Sequence, residues 1–170
     1  MRYLIDAMVT VRTAVPEAKL LIVGHGELEQ TLKKQVEQLG LGDVVLFSGG
    51  IPNAQLPPYY ATADIFIGPS IQVKGGDTEG FGLTFVEAAM SGCLVIGTRV
   101  GGIEDIVKDG ETGFLVPPRN SFALAAAIVE VIAMLNVQDD NRLISRQILV
   151  EKFGWKLIVQ RYIYAYSGTL

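Results

Sequence analysis

Short apolar runs alternate with helical segments along almost the whole chain, and this alternation restricts the fold more than any other feature. The predicted strands are rich in Val, Ile, Leu and Phe and cover 19–23, 44–47, 64–67, 94–97 and 114–116. Helical spacing or composition predicts helices over 3–15, 27–39, 54–62, 82–91, 104–107, 121–135, 140–153 and 155–166. Apolar strands separated by helices are typical of a parallel sheet covered on both faces. The sequence therefore predicts an α/β, Rossmann-like fold.

Glycine-rich segments follow the predicted strands, at 24–26, 48–50, 68–82 and 97–102. In an open parallel sheet the carboxyl ends of the strands lie at one edge, and ligands bind there. We therefore expect these segments to gather at one edge and to form the binding site.

Composition excludes several classes of protein. The 170 residues suggest one domain, and the net charge of −4 argues against nucleic acid as a partner. The single cysteine, Cys93, cannot form an internal disulfide and fits a reducing compartment, so a cytoplasmic location is expected. No signal peptide is visible. The longest apolar stretch, 122–137, contains Glu130 and is too short to span a membrane comfortably.

The segment from Glu79 to Glu87 has the strongest candidates for ligand-binding groups. Its two carboxylates stand eight residues apart with a Gly-x-Gly turn, Gly80 to Gly82, between them. A helix that begins near Gly82 would point free N–H groups at an anion such as a phosphate. The acids could hold hydroxyl groups, so a site for a diphosphate-linked sugar is one interpretation. A plain glycine-rich turn with two solvated acids fits the spacing equally well.

Other motifs are weaker. Gly24-x-Gly26-x-x-Glu29 follows a strand as a dinucleotide fingerprint does, but Glu29 stands where that motif needs Gly or Ala. The chain also has no P-loop motif and no Gly-x-Ser-x-Gly elbow. The alternate acids of Asp77-Thr78-Glu79 have no further metal ligands near them in sequence. We therefore expect no metal and no cofactor.

The whole chain resembles the C-terminal half of the retaining glycosyltransferases of family 4, which have the GT-B fold. Segment 79–87 resembles the Glu-x7-Glu signature of that family, and segment 16–26 resembles its second strand and Gly-x-Gly loop. The segments that agree in order are 16–26, 45–49, 63–70, 79–87, 100–107, 110–116 and 155–164. The resemblance implies that 1–170 is the domain that binds a nucleotide-sugar donor, linked to UDP or GDP, in an enzyme that transfers a hexose.

The resemblance also implies roles for the signature residues. Glu79 would contact the donor sugar and stabilise the oxocarbenium-like transition state, as the catalytic residue. The amides of Phe81, Gly82 and Leu83 would hold donor oxygens, including those of the diphosphate, and Thr84 would add a hydroxyl contact.

The remaining donor contacts are implied in the same way. Glu87 would accept hydrogen bonds from the ribose hydroxyl groups. Phe47, Ser48 and Gly49 would flank the base, and Gly24 and Gly26 would form the loop after the second strand. A helix N-terminus can stabilise a leaving diphosphate without a metal, which agrees with the absence of a metal motif.

The chain departs from the family at its start. The family begins this half with a strand and a Gly-Arg loop, soon followed by Lys-Gly, whereas Met1 to Ala7 resembles the next helix. The first strand, which is central in the order 3-2-1-4-5-6, and both basic residues are therefore expected to be absent. We expect the gap to be filled by a rearranged sheet, a neighbouring chain or a further segment. The N-terminal acceptor domain is also expected to be absent, so no transfer is expected from this chain alone.

Two other functions remain open from the sequence. The chain could be a non-catalytic nucleotide-binding or structural domain of the same fold, or part of a GT-B epimerase. The resemblance allows a membrane-peripheral location for a full-length enzyme. The sequence predicts neither the base, the sugar nor the acceptor.

Overall fold

A computed structural model describes residues 1–72, 82–136 and 141–167, with no description of the side chains of 136, 141–145 and 155. The strands are β1 (Leu20–Val23), β2 (Val45–Gly49), β3 (Ile65–Gly68), β4 (Leu94–Thr98) and β5 (Phe114–Val116). The helices are α1 (Arg2–Ala14), α2 (Glu29–Gln38), α3 (Leu56–Thr62), α4 (Leu83–Met90), α5 (Ile103–Ile106), α6 (Ser121–Asn136), α7 (Asn141–Phe153) and α8 (Trp155–Ser167). The predicted alternation of strands and helices is confirmed.

The strands form two parallel sheets in the described part of the chain. One sheet has the order β1-β2 and the other has the order β3-β4-β5. With β1 and β3 at facing ends, this is the strand order that the resemblance implies when its first strand is left out. The predicted break is confirmed, and the described residues do not rearrange to close it. A neighbouring chain or a further segment stays a prediction.

Helices cover both faces of the larger sheet, as predicted. On one face, α1 and α6 pack together and share a core with Leu94 and Ile96 of β4. On the other face, Val95 packs with residues of α4, α5 and α7. All five residues of β4 are buried because successive side chains point to opposite faces, and both faces are covered.

Several local features of the helices follow from the sequence. The inward face of α1 includes Leu4, Met8 and Val11, at helical spacing, and all are buried. Asn120 caps α6, since its side-chain oxygen accepts a hydrogen bond from the N–H of Ala123 at 3.0 Å. Cys93 is buried as expected. Within the described ranges, none of the helices combines the length and the apolar character that crossing a membrane would require.

The prediction for α2 was wrong at both ends. The helical spacing of the apolar residues in 27–39 predicts that Leu28 and Leu39 face inward, but their exposed fractions are 66% and 38%. These residues are the caps of a short helix, one at each end, and α1 is the element against which this helix packs most. Leu32 and Val36, one turn apart in its middle, make the contact with the core.

Candidate functional site

The first turn of α4 is built on glycines that surround one buried aromatic ring. Gly82 precedes the helix with a φ of 69°, a left-handed conformation that favours glycine. A Cβ atom would lie 2.2 Å from the Phe85 ring at Gly68 and 3.1 Å from it at both Gly82 and Gly97. The Phe85 side chain therefore fills the space between the ends of β3 and β4 and the start of α4. This packing fixes the N-terminus of α4 at the carboxyl edge of the sheet.

The N-terminus of α4 is suited to bind an anion. The predicted helix start near Gly82 is confirmed, and the side chains of Leu83 and Thr84 in its first turn are exposed. No described side chain caps this end of the helix, and its first turn carries no acidic residue. Its backbone N–H groups and the positive end of its dipole can therefore interact with a negatively charged ligand. Glu79 and Phe81, predicted to act beside this helix, lie outside the described residues.

Glu87 lies in the second turn of α4 and contacts α3. The hydroxyl group of Tyr60 donates a hydrogen bond to Oε2 of Glu87 at 3.3 Å. Burial, together with the neighbouring negative charge of Glu87, raises the pKa of Tyr60 to about 12. Tyr60 therefore stays protonated at pH values where a free tyrosine ionises, and remains a donor that orients this carboxylate.

The loops after β1 and β2 form a second group. The N–H of Gly24 donates to the carbonyl of Gly49 at 2.8 Å. The Nε2 atom of His25 accepts a hydrogen bond from the N–H of Gly50 at 2.9 Å. The same ring lies against Gly49, where an added Cβ atom would be 3.0 Å from its Cε1 atom. The two loops are therefore held together by backbone and side-chain bonds.

Charged side chains of α2 lie next to His25 in this pair of loops. Nδ1 of His25 lies 3.7 Å from Oε2 of Glu29, whose other oxygen accepts a hydrogen bond from Nζ of Lys33 at 2.7 Å. The hydrogen bond and positive charge of Lys33, with a smaller contribution from His25, lower the pKa of the Glu29 carboxyl. Lys33 also lies 5.5 Å from the centre of the Phe47 ring. The half-buried Phe47 side chain is thus covered by α2, while the exposed Ser48 donates to the carbonyl oxygens of Ile22 and Gly49.

The structure brings the predicted site residues together in two groups rather than one. Gly82, Leu83, Thr84 and Glu87 lie at the start of α4, beside the β3-β4-β5 sheet. Gly24, Gly26, Phe47, Ser48 and Gly49 belong to the end of the β1-β2 sheet and its loops. Nothing in the described part of the chain pairs β1 with β3, so the break in the sheet separates the groups.

Three residues at this edge were missed as site residues. The sequence assigns no site role to His25, and for Tyr60 it favours core packing over stacking on a base; the contacts of both join residues 25 and 27 positions apart in sequence. Arg119 has a φ of 59° and donates to the carbonyl of Gln72 at 2.9 Å, so it anchors the chain just before the signature. The only signal for Arg119 was its place after a strand and two prolines.

Within the described residues, no group of His, Cys, Asp and Glu could hold a metal ion.

Comparison with known proteins agrees with this geometry. Residues 1–147 match the family model described as glycosyl transferases group 1. The chain is 37% identical over 131 residues to a GDP-mannose-dependent alpha-(1-6)-phosphatidylinositol monomannoside mannosyltransferase of Mycolicibacterium smegmatis, a match that covers 76% of this chain and 34% of that protein. The matched part of the chain therefore spans about a third of the length of this relative.

Solved structures share the fold. Alr3699/HepE of Anabaena, in complex with UDP and glucose, aligns with a TM-score of 0.81 and 25% identity over 98% of this chain and 44% of that chain. The C-terminal domain of a glycosyl transferase group 1 family protein, LpcC of Francisella tularensis, aligns with a TM-score of 0.67 and 27% identity. That alignment covers 89% of this chain and 77% of that one.

Proposed function

Because the chain belongs to the glycosyl transferases group 1 family, we propose that it is the donor-binding part of a retaining glycosyltransferase. The whole enzyme would transfer a hexose from a nucleotide-diphosphate sugar to an acceptor. The acceptor site would lie in an N-terminal domain outside these 170 residues. The observation that supports this proposal best is the N-terminus of α4, which has no side-chain cap and lies about one turn before the carboxylate of Glu87.

The donor diphosphate is proposed to bind at that helix N-terminus. The amides of Phe81, Gly82 and Leu83 would donate to phosphate oxygens, and Thr84 would add its hydroxyl group. Gly82 supports the proposal in two ways. Its left-handed φ lets the backbone turn into α4 beside the ends of the strands, and Phe85 leaves little space there for a side chain. Glu79 is proposed as the catalytic residue that stabilises the positive charge of the transition state.

The nucleoside is proposed to lie between the two groups. Glu87 would accept hydrogen bonds from the ribose hydroxyl groups, with Tyr60 orienting its carboxylate. The base would lie against Phe47, Ser48 and Gly49, in the loop that His25 holds in place. Gly24 and Gly26 would let the preceding loop approach the donor closely.

The names of the relatives support a donor linked to UDP or GDP. The mycobacterial relative is named for GDP-mannose, and the Anabaena structure contains UDP and glucose. We therefore propose a UDP- or GDP-hexose as donor, with no metal or organic cofactor. A cytoplasmic location is proposed because the sequence has a single cysteine, which cannot form an internal disulfide and fits a reducing compartment.

Calorimetric titration of the chain with UDP, GDP, ADP and their hexose conjugates tests the donor site. We expect binding that prefers one base and is lost in Glu87→Ala. Glu130→Ala, which removes an exposed carboxylate on α6, is the matched control and is expected to bind normally. Binding that survives Glu87→Ala unchanged would remove the proposed ribose contact.

A further inference from the structure

The peptide group between Gly49 and Gly50 is held at both of its polar atoms by the loop that follows β1. Its carbonyl oxygen accepts a hydrogen bond from the N–H of Gly24 at 2.8 Å, and a second one from the hydroxyl group of Ser48 at 3.0 Å. Its N–H donates to Nε2 of His25 at 2.9 Å. Two consecutive residues of one loop, Gly24 and His25, therefore fix the orientation of this single peptide plane.

A peptide group between two glycines needs such partners to keep one orientation. Gly49 has a φ of 71°, and Gly50 follows it in sequence. Because glycine adopts positive and negative φ about equally well, rotation of the plane between them meets little steric resistance. The side chain of His25 holds the N–H side of the plane, so the orientation of the plane depends on the chemical state of that side chain.

The imidazole ring lies very close to both glycines. An added Cβ atom would lie 3.0 Å from Cε1 of the ring at Gly49 and 2.7 Å from Cδ2 at Gly50. The ring therefore occupies the space that side chains at these two positions would take. Its other nitrogen, Nδ1, lies 3.7 Å from Oε2 of Glu29. The ring thus lies between a backbone donor and a carboxylate.

The hydrogen bond with Gly50 requires a neutral imidazole. Neutral histidine accepts at one ring nitrogen and donates at the other, whereas both nitrogens are donors in the charged form. The bond from the Gly50 N–H assigns the proton of the neutral ring to Nδ1, on the side of Glu29. A second proton would place two donors, Nε2–H and the Gly50 N–H, against each other. Since histidine is the side chain that commonly changes its charge between pH 5 and 8, this contact is sensitive to pH.

The charged groups around His25 favour a different partner for a charged ring. The hydrogen bond and the charge of Lys33 lower the pKa of the Glu29 carboxyl, so Glu29 is a carboxylate throughout the range in which an imidazole titrates. Glu27, in the same loop as His25, is exposed, and the facing loop 48–50 has no charged side chain. A charged ring is therefore attracted to Glu29 of α2, while its contact with Gly50 becomes repulsive.

We propose that His25 is a positioning residue for the base of the donor, which orients the Gly49–Gly50 peptide in its neutral form and exchanges Gly50 for Glu29 when it is protonated. This role rests on the proposed function, in which the base lies against Phe47, Ser48 and Gly49. It makes donor affinity depend on pH through one side chain. Binding is tighter above about pH 7, where the imidazole is neutral, than at about pH 5.5.

The exchange of partners is tested first by NMR of the unliganded chain. His25 is the only histidine in the sequence, so its ring signals are assigned without a variant. We expect the amide signal of Gly50 to shift with pH in step with the ring, and the amide of Gly97 in β4 to stay unchanged. In His25→Gln the side-chain oxygen is a neutral acceptor that does not titrate, so the Gly50 transition should disappear. A Gly50 amide that does not follow the ring would overturn the proposal.

Calorimetric titration with UDP-glucose and, separately, with GDP-mannose tests the effect on binding. Both phosphates of these donors are esterified, so the charge of the donor stays the same over this pH range. We expect the dissociation constant of the wild type to rise about two- to tenfold from about pH 8 to about pH 5.5, the effect of losing one hydrogen bond. His25→Ala should bind weakly at both pH values. His25→Gln should bind as the wild type does at the higher pH, and should show no dependence on pH.

The results separate this role from the proposed function. Equally tight binding by the wild type and His25→Ala would overturn the role of His25 and leave the donor site in place. A pH dependence that persists in His25→Gln would also overturn it, because another group would then be titrating. If the wild type binds neither donor at any pH, the proposed function fails and the role fails with it, even where the Gly50 amide follows the ring.

Discussion

The imidazole of His25 accepts a hydrogen bond from the backbone N–H of Gly50 at 2.9 Å, and this bond joins the loops that follow β1 and β2. It uses a side chain that lies on the protein surface, with its ring against two glycines. The contact therefore depends on the absence of a Cβ atom at Gly50 as much as on the imidazole.

Substitutions at His25 and Gly50 are expected to be strongly non-additive. His25→Ala removes the acceptor and should lower the free energy of unfolding by about 0.5–1.5 kcal/mol. Gly50→Ala places a Cβ atom 2.7 Å from the ring, so the ring moves and the same bond is lost. The double variant should therefore be little less stable than either single variant, as measured by urea unfolding. Gly26→Ala, where a Cβ atom meets nothing within 4 Å, is the control; simple additivity would contradict the contact.

Tyr60 should make stability fall with pH in the alkaline range. Its pKa is raised from 10.0 to about 12 in the folded protein, so the folded state retains the phenol proton longer than the unfolded state does. The stabilisation is complete below about pH 10 and is lost as the pH rises towards about 12. The free energy of unfolding of the wild type and of Tyr60→Phe should be measured at several pH values in this window. It should fall more steeply with pH in the wild type, because the variant lacks the ionising phenol. An identical slope in both proteins would refute this.

Ultraviolet titration provides a second measurement on the same pair. Burial is the largest cause of the raised Tyr60 pKa, and the charge of Glu87 comes next. Glu87→Gln should therefore lower the Tyr60 pKa while leaving it above 10, with Tyr60→Phe used to assign the transition. A pKa that does not move in Glu87→Gln would mean that the 3.3 Å contact has no electrostatic effect.

Gly68→Ala should be among the more damaging single-methyl additions in the sheet. Its Cβ atom would lie 2.2 Å from Cζ of Phe85, which is buried and has little room to move. Overpacking of this kind should lower the free energy of unfolding by about 1–3 kcal/mol. Urea unfolding measures this change. Phe85→Leu should reduce the cost of Gly68→Ala by making space. Gly42→Ala, which adds its methyl group in open space, is the matched control.

Glu79→Gln tests the proposed catalytic role, and needs a protein that joins this chain to an acceptor-binding domain. If the carboxylate stabilises the transition state, the kcat of the variant should fall by a factor of roughly 10²–10³, while its melting temperature stays the same. Glu130→Gln is expected to behave as the wild type. Full transfer activity in Glu79→Gln would favour a non-catalytic role for the signature. The isolated 170-residue chain is expected to give no transfer above blank reactions with the sugar donor.

The periodicity of the chain was enough to predict the sheet, because each strand is apolar along its length and each is followed by a helical segment. It was not enough to predict which helix residues are buried at the ends of α2. Leu28 and Leu39 continue the apolar pattern, but they lie at the two caps, and α2 reaches the core only through Leu32 and Val36 in its middle. Local pattern indicates which side of a helix is apolar, whereas burial depends on how far the neighbouring layer extends.

The start of α4 was predictable because a glycine and a helix-forming run are adjacent in sequence. The bonds of His25 with Gly50 and of Arg119 with Gln72 were not predictable, since they join residues 25 and 47 positions apart. Such contacts depend on the relative placement of loops, which no local spacing encodes. Glu79 and Phe81 lie outside the described residues, so their roles stay predictions.

The break between the sheets has a consequence for cooperativity. Because no ladder links β1 to β3 in the described part of the chain, the β1-β2 unit is attached to the remaining structure through side-chain packing on α1 and α6. Packing of this kind can be lost locally without breaking a hydrogen bond of the larger sheet. We therefore expect the two units to behave as separate foldons, with β1, β2 and α2 opening while β3, β4 and β5 stay closed. The proposed base-binding loop would then belong to the unit that opens first, and donor binding would be thermodynamically linked to the ordering of that unit.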